Sequence, residues 1–178
     1  NARREHDEER IPGAGFFDLD EVSDKTSDLP HMLPSAGYFK DTMTSLGVGS
    51  NDHVVCYDGK GIFSSARLWW MLRAFGHTQV AILDGGFRKW QAEGRMVEVA
   101  PPDAPPRGKF TAQLNRKFVK KLDDVWEASR RRDWQILDAR SAGRFAGSDP
   151  EPRPGLRAGH IPNSLNIPHS ALSNPDGT

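Results

Sequence analysis

The sequence predicts an α/β protein, a parallel sheet flanked by helices, present as one nearly complete copy and the start of a second. Three observations carry this. Between residues 53 and 93 two apolar strand runs each stop at an Asp-Gly turn and feed a helix, the order of a parallel sheet covered by helices. Residues 10–22, R-I-P-G-A-G-F-F-D-L-D-E-V, echo residues 160–172, H-I-P-N-S-L-N-I-P-H-S-A-L, in each case a basic residue before Ile-Pro, a small-residue turn and a short apolar run. That spacing is a domain's length, a duplication rather than a solenoid repeat. Last, in the stretch 138–168 a long Pro-, Gly- and Arg-rich loop follows the apolar run 134–137 and closes on a second short apolar run, 165–167. A loop of that length is functional or disordered.

In chain order, residues 1–10 are charged and helix-compatible, an exposed helix or a fraying terminus. Ile11–Leu19 reads as a turn and a short strand, followed by a loop over 21–34 that holds His31 in L-P-H-M-L-P. Residues 35–46 fit a helix with Ser35 as N-cap and Gly47 as its stop. His53–Tyr57 is a buried-type strand ending at Asp58. Ser64 and Ser65 open an apolar helix over 66–75 closed by Gly76, Val80–Leu83 is the next strand, and Phe87–Glu93 the next helix. The A-P-P-D-A-P-P-R-G stretch is an extended linker, and Phe110–Leu114 a candidate edge strand. Residues 115–131 place Val119, Leu122, Val125 and Trp126 on one helical face. Domain bounds follow: 1–99, a first copy lacking its first strand; 100–109, the linker; 110–178, the beginning of a second copy.

Composition narrows the functional classes. Lys+Arg and Asp+Glu are both 24 in 178 residues, a balance that argues against nucleic-acid or polybasic membrane partners. No apolar run approaches membrane-spanning length. One cysteine, Cys56, excludes an internal disulfide framework and a multi-cysteine metal site, and fits a reducing compartment. Cys56 lies in a buried-type run and reads as structural. A cysteine-phosphatase loop needs Arg six positions after its Cys, and Ile62 stands there; the Gly-rich turn also lacks the Lys-Ser/Thr of a phosphate loop.

The long loop carries Arg140, Arg144, Arg153 and Arg157 among few apolar residues. Residue chemistry leaves two readings open, a solvated basic loop or an anion clamp built from planar guanidinium forks. Pairing of Arg144 with Asp149 belongs to the first. Trp69, Trp70 and Trp90 fall at helical spacing and read as packing. His160 reads as a turn-holding residue, and His6, His53, His77 and His169 as surface or helix-end residues.

Through I-P-G-A-G-F-F-D-L-D, H-M-L-P, V-V-C-Y-D-G-K-G-I-F-S-S-A-R-L-W-W-M, F-G-H, L-D-G-G-F-R-K-W, D-A-R, G-R-F, D-P-E-P-R and G-H-I-P, the chain resembles the tandem rhodanese-type sulfurtransferases, and within them the 3-mercaptopyruvate sulfurtransferases, over about residues 10–169. The wording is nearest plant and algal forms. The resemblance implies a rhodanese-like fold, no metal or organic cofactor, and a nucleophilic cysteine ending the central strand of the second copy. In the first copy Asp58 stands at that place, already anionic and unable to carry sulfur. The chain stops before the second copy's equivalent, so the resemblance implies a fragment that is inactive alone. It further implies that Arg144 and Arg153 hold the substrate carboxylate and keto oxygen, Arg153 favouring mercaptopyruvate over thiosulfate. Asp20 and His31 match positions proposed to assist proton transfer; a turn aspartate and a hydrogen-bonded loop histidine are the plainer readings. The implied partners are a small sulfur donor and a thiol acceptor such as thioredoxin (cyanide also serves), the implied compartment mitochondrial or cytoplasmic. A structural or regulatory remnant within a larger assembly is the alternative.

Overall fold

The computed structural model describes residues 2–99 and 104–178. It divides into two compact units, one running to Phe118 and including Asp176–Thr178, the other spanning Val119–Pro175.

The first unit contains α1 (Ala2–Glu8), α2 (Ala36–Ser45), β1 (Val54–Cys56), α3 (Ser65–Ala74), β2 (Val80–Ile82) and α4 (Gly86–Ala92). Ser35 caps α2 as its sequence dictates, its hydroxyl accepting from the Tyr38 N–H at 3.2 Å, and Gly47 at φ 80° ends it. β1 and β2 pair in parallel, Val54 against Val80 through Cys56 against Ile82, with α3 as the crossover. The core forms where α2 and α3 face one another. Phe39 stacks on Phe75 at 4.4 Å and meets Phe110 edge-on at 5.9 Å; Met43, Met71 and Leu72 close around them.

Phe110 corrects two expectations. It is 4 % exposed inside the first unit's core, so the unit extends to Phe118 instead of ending at residue 99, and the second begins at Val119, not 110. Nor is 110–114 an edge strand. Gln113 and Asn115 donate their N–H groups to the carbonyls of Phe75 and Ala74, satisfying the end of α3. Of the expected linker, 100–103 lie outside the described residues. The rest is strapped down: Gly108 donates to the Thr44 carbonyl at 2.9 Å and lies so close to the Val48 carbonyl that a Cβ would collide with it. The expected strand in 11–19 also fails to form. Residues 14–18 carry no ladder among the described residues; Arg10 instead makes an antiparallel bridge with Glu98, and Phe17 packs edge-on to Phe39. His77, expected at a surface or helix end, is buried at 5 % and faces Phe110 at 5.5 Å.

The second unit contains α5 (Leu122–Arg131), β3 (Ile136–Asp138), the short α6 (Ala142–Ala146) and β4 (Ser164–Asn166). β3 and β4 pair in parallel. The helix expected over 115–131 begins only at Leu122, after a separate 3-10 turn at Arg116–Phe118, because the Asp124 carboxylate caps its start by accepting from the Lys121 N–H at 2.8 Å. Its apolar face is open: Leu122 is 82 % and Trp126 59 % exposed. Every described apolar residue that is fully buried lies in the first unit. Side-chain hydrogen bonds pin the second one instead. The Ser129 hydroxyl donates to the Pro162 carbonyl, and the Asn166 amide donates to the carbonyls of Asp138 and Arg140.

Candidate functional site

The first unit's chemistry centres on the loop from Asp58 to Ser65. β1 ends just before Asp58, the chain turns through Gly59-Lys60-Gly61, and α3 starts at Ser65. The Asp58 carboxylate fills the mouth of this loop. One oxygen accepts from the Lys60 N–H at 2.8 Å, the other from Phe63, Ser64 and Ser65 at 2.8, 2.8 and 2.9 Å. Burial alone raises the carboxyl's pKa. The N–H donors from Ser65, Phe63 and Lys60 outweigh it and leave the group below the ordinary carboxylate value. The loop is thus an anion cradle at a helix N-terminus, filled from within by a side chain.

Cys56, two residues back on β1, is 3 % exposed, and burial pushes its thiol up to about 12. A thiol so placed is not a thiolate at neutral pH and takes no part as a nucleophile.

Asp20 and His31 are brought together: Asp20 Oδ1 lies 3.3 Å from His31 Nδ1, with side chains 81 % and 50 % exposed. Asp20 sits in a turn fixed by Asp18, whose carboxylate accepts its N–H at 3.0 Å. His31 is held left-handed at φ 57°, and its carbonyl accepts from Arg67 Nη2 at 2.6 Å. His6 also faces an acid, its Nδ1 3.6 Å from Asp7 Oδ1, while its Nε2 bonds the Ala14 carbonyl and its ring leans on Phe16.

In the second unit an arginine–carboxylate network occupies the long loop. α6, which the loop's composition concealed, is capped by Ser141 and carries Arg144. Glu151, 6 % exposed, bridges Arg140 Nη1 at 2.7 Å and Arg144 Nη2 at 2.6 Å. Arg140 is consumed by this network. It also grips Asp138, Nη2 to Oδ2 at 2.6 Å, and donates to the Gly159 carbonyl. Its fork pulls the Asp138 carboxyl below the usual range, and Arg144 first, with Arg140, does the same to Glu151 despite that carboxylate's burial.

The four-arginine clamp therefore resolves into unequal members. Arg140 is structural. Arg144 pairs with Glu151, not with Asp149, whose carboxylate lies against Gly143. The Arg144 Nε is buried and has no acceptor among the described residues. Arg153 is exposed and makes no hydrogen bond or ion pair among the described residues. His160 holds the turn, stacked on Phe145 at 3.9 Å with Nδ1 2.8 Å from the Phe145 carbonyl. Glu151 is the residue that sequence reasoning missed. Its signal was present, an acid between two prolines in an arginine-rich loop. No group of three or more His, Cys, Asp or Glu among the described residues is arranged to hold a metal ion.

Comparison with known proteins identifies the fold family. The family model of the rhodanese-like domain matches residues 2–93. The chain is 49 % identical to the 3-mercaptopyruvate sulfurtransferase of Rattus norvegicus, over 99 % of this chain and 60 % of that protein. It is 43 % identical to the thiosulfate sulfurtransferase of the same organism, again over 99 % and 60 %. Among solved structures it is similar to SseA from Escherichia coli, a 3-mercaptopyruvate sulfotransferase, with TM-score 0.88, 42 % identity, and coverage of 98 % of this chain and 64 % of that one. The chain thus spans about 60 % of the length of the curated relatives it matches.

Proposed function

The chain belongs to the rhodanese family, and from that premise we propose that the intact protein is a sulfurtransferase that moves sulfane sulfur from 3-mercaptopyruvate to a thiol acceptor. The observation that carries the substrate reading is the Arg144 guanidinium: Glu151 anchors one terminal nitrogen, and the buried Nε–H has no protein acceptor among the described residues. A buried donor left without a partner points to a ligand acceptor. The carboxylate or keto oxygen of an α-keto acid supplies one, and exposed Arg153 offers a second fork.

The chemistry proceeds in two half-reactions. A cysteine thiolate attacks the substrate sulfur, the C–S bond breaks, and pyruvate leaves as its enolate, which then takes a proton. The enzyme keeps a persulfide. An acceptor thiolate, such as that of thioredoxin, attacks the outer sulfur and restores the cysteine thiolate. Cys56 does not fill this role, so the nucleophile is a cysteine outside these 178 residues, seated in a cradle like the one Asp58 fills here. Arg144 and Arg153 orient the donor and stabilise enolate charge; the Asp20–His31 pair assists proton transfer. A reducing compartment, mitochondrial or cytoplasmic, keeps acceptor thiols available.

The test is persulfide formation in the intact protein. Incubation with 3-mercaptopyruvate adds one sulfur atom to the mass of a cysteine-containing peptide, and no such gain refutes the activity. Arg153→Ala then tests the donor: turnover of mercaptopyruvate falls more than turnover of thiosulfate, and an equal loss for both removes the substrate argument.

A further inference from the structure

An exposed His–Asp pair has little geometry of its own, since two mobile side chains in water gain little by meeting. The Asp20–His31 pair is different because both backbones are fixed. On one side the Asp20 carbonyl accepts from the Ser23 hydroxyl and from Lys25 Nζ, each at 2.7 Å. On the other, His31 adopts φ 57°, a conformation that a non-glycine residue keeps only where surrounding contacts enforce it. One strong contact does so. Arg67 Nη2 donates to the His31 carbonyl at 2.6 Å, a charge-assisted bond spanning 36 residues of sequence. The Arg67 guanidinium is itself held, its carbon 4.5 Å from the ring centroid of Trp70 one turn along α3. The next residue of the loop is pinned too, the Met32 carbonyl accepting from the Asp24 N–H at 2.9 Å.

We propose that Arg67 is a positioning residue: stacked on Trp70, it clamps the His31 carbonyl, holds the left-handed turn, and so presents the imidazole to Asp20. It also ties that pair to the helix whose N-terminus carries the Asp58 loop. Two parts of the first unit far apart in sequence become one rigid piece. The inference rests on the reading of His31 as an assistant to proton transfer.

The test is a double-mutant cycle in the intact protein with 3-mercaptopyruvate as donor. Arg67→Gln lowers kcat roughly tenfold or more, the scale of losing a hydrogen bond to a charged group. In a His31→Ala background the same change has no further effect, because Arg67 acts through His31. Losses that multiply show a structural role for Arg67 and overturn the proposal, while a His31→Ala protein of undiminished kcat overturns the reading beneath it. Should Arg67→Gln fail to fold, Arg67→Lys, which keeps stem and charge but loses the planar fork, enters the same cycle, and multiplying or non-multiplying losses are read in the same way. An independent readout is the His31 ring by nitrogen-resolved NMR: one tautomer, with the proton on Nδ1 toward Asp20, in the wild type, and tautomer averaging in the Arg67 variant. Identical ring spectra in the two also overturn the clamp.

Discussion

Glu151 decides what the arginines of the long loop can do. Its buried carboxylate ties Arg140 to Arg144, so one guanidinium serves the fold and the other is aimed by it. Replacing it by Gln keeps the shape and removes the charge. On the proposal that Arg144 holds the donor's carboxylate or keto oxygen, Glu151→Gln is expected to raise the KM for mercaptopyruvate by roughly tenfold while leaving kcat within about threefold, since ground-state positioning is lost before chemistry. Steady-state kinetics of the intact protein check this, and a loss confined to kcat contradicts it. The Glu151 pKa is depressed, so its contribution to stability is present above the ordinary carboxylate range and fades as pH falls through the lowered value. Cys56 shows the opposite case. Its buried-type run already places it in the core, and burial alone makes it inert.

At the scale of elements, the β1–loop–α3 segment is the first unit's chemical feature. Four N–H groups converge on the Asp58 carboxylate, an arrangement as fit for a thiolate. Asp58→Cys, made with Cys56→Ser to leave one thiol, is expected to titrate well below the ordinary cysteine value of 9.0, followed by thiolate ultraviolet absorbance. A thiol at or above 9.0 contradicts the cradle. Asp58→Asn is expected to cost about 1 kcal/mol, with the half-exposed site limiting the loss. The sign of the pH dependence follows from a carboxyl depressed below 3.8. Its stabilisation is fully present above that value and lost as pH drops through the folded pKa, so Asp58→Asn flattens the acid limb of the stability curve, measured by denaturant titration. The Ser35 cap and the glycine stops were legible because each acts within one turn of its own residue. The 110–114 segment was not. Its alternation suits a strand, yet no strand among the described residues pairs with it, whereas the carbonyls of Phe75 and Ala74 accept from it and from Asn115.

As a whole, the molecule is unevenly built. The first unit closes an aromatic and sulfur-bearing core, whereas the second exposes Leu122, Trp134 and Leu172 at 82 %, 61 % and 72 % and stands on hydrogen bonds and ion pairs. Local opening is cheap where few apolar contacts resist it. Limited proteolysis of the 178-residue chain is therefore expected to cut within Val119–Pro175 first and leave the unit ending near Phe118 intact. Equal resistance of both halves, followed by mass spectrometry of the fragments, refutes this. The expected boundary at residue 99 came from composition, because prolines look like a linker whether or not they are strapped down. Only packing showed that Phe110 belongs to the earlier core.

The sequence by itself determined the parallel α/β order, the caps, the inert cysteine and the motifs of the rhodanese family, because periodicity, turn chemistry and local hydrogen bonding act between near neighbours. The tertiary structure alone decided which arginine is spent on the fold and which keeps a free donor, that His31 is clamped from α3, and where one unit ends. Those depend on partners distant in sequence, and a guanidinium's role is set by the acceptors that folding brings within about 3 Å of it.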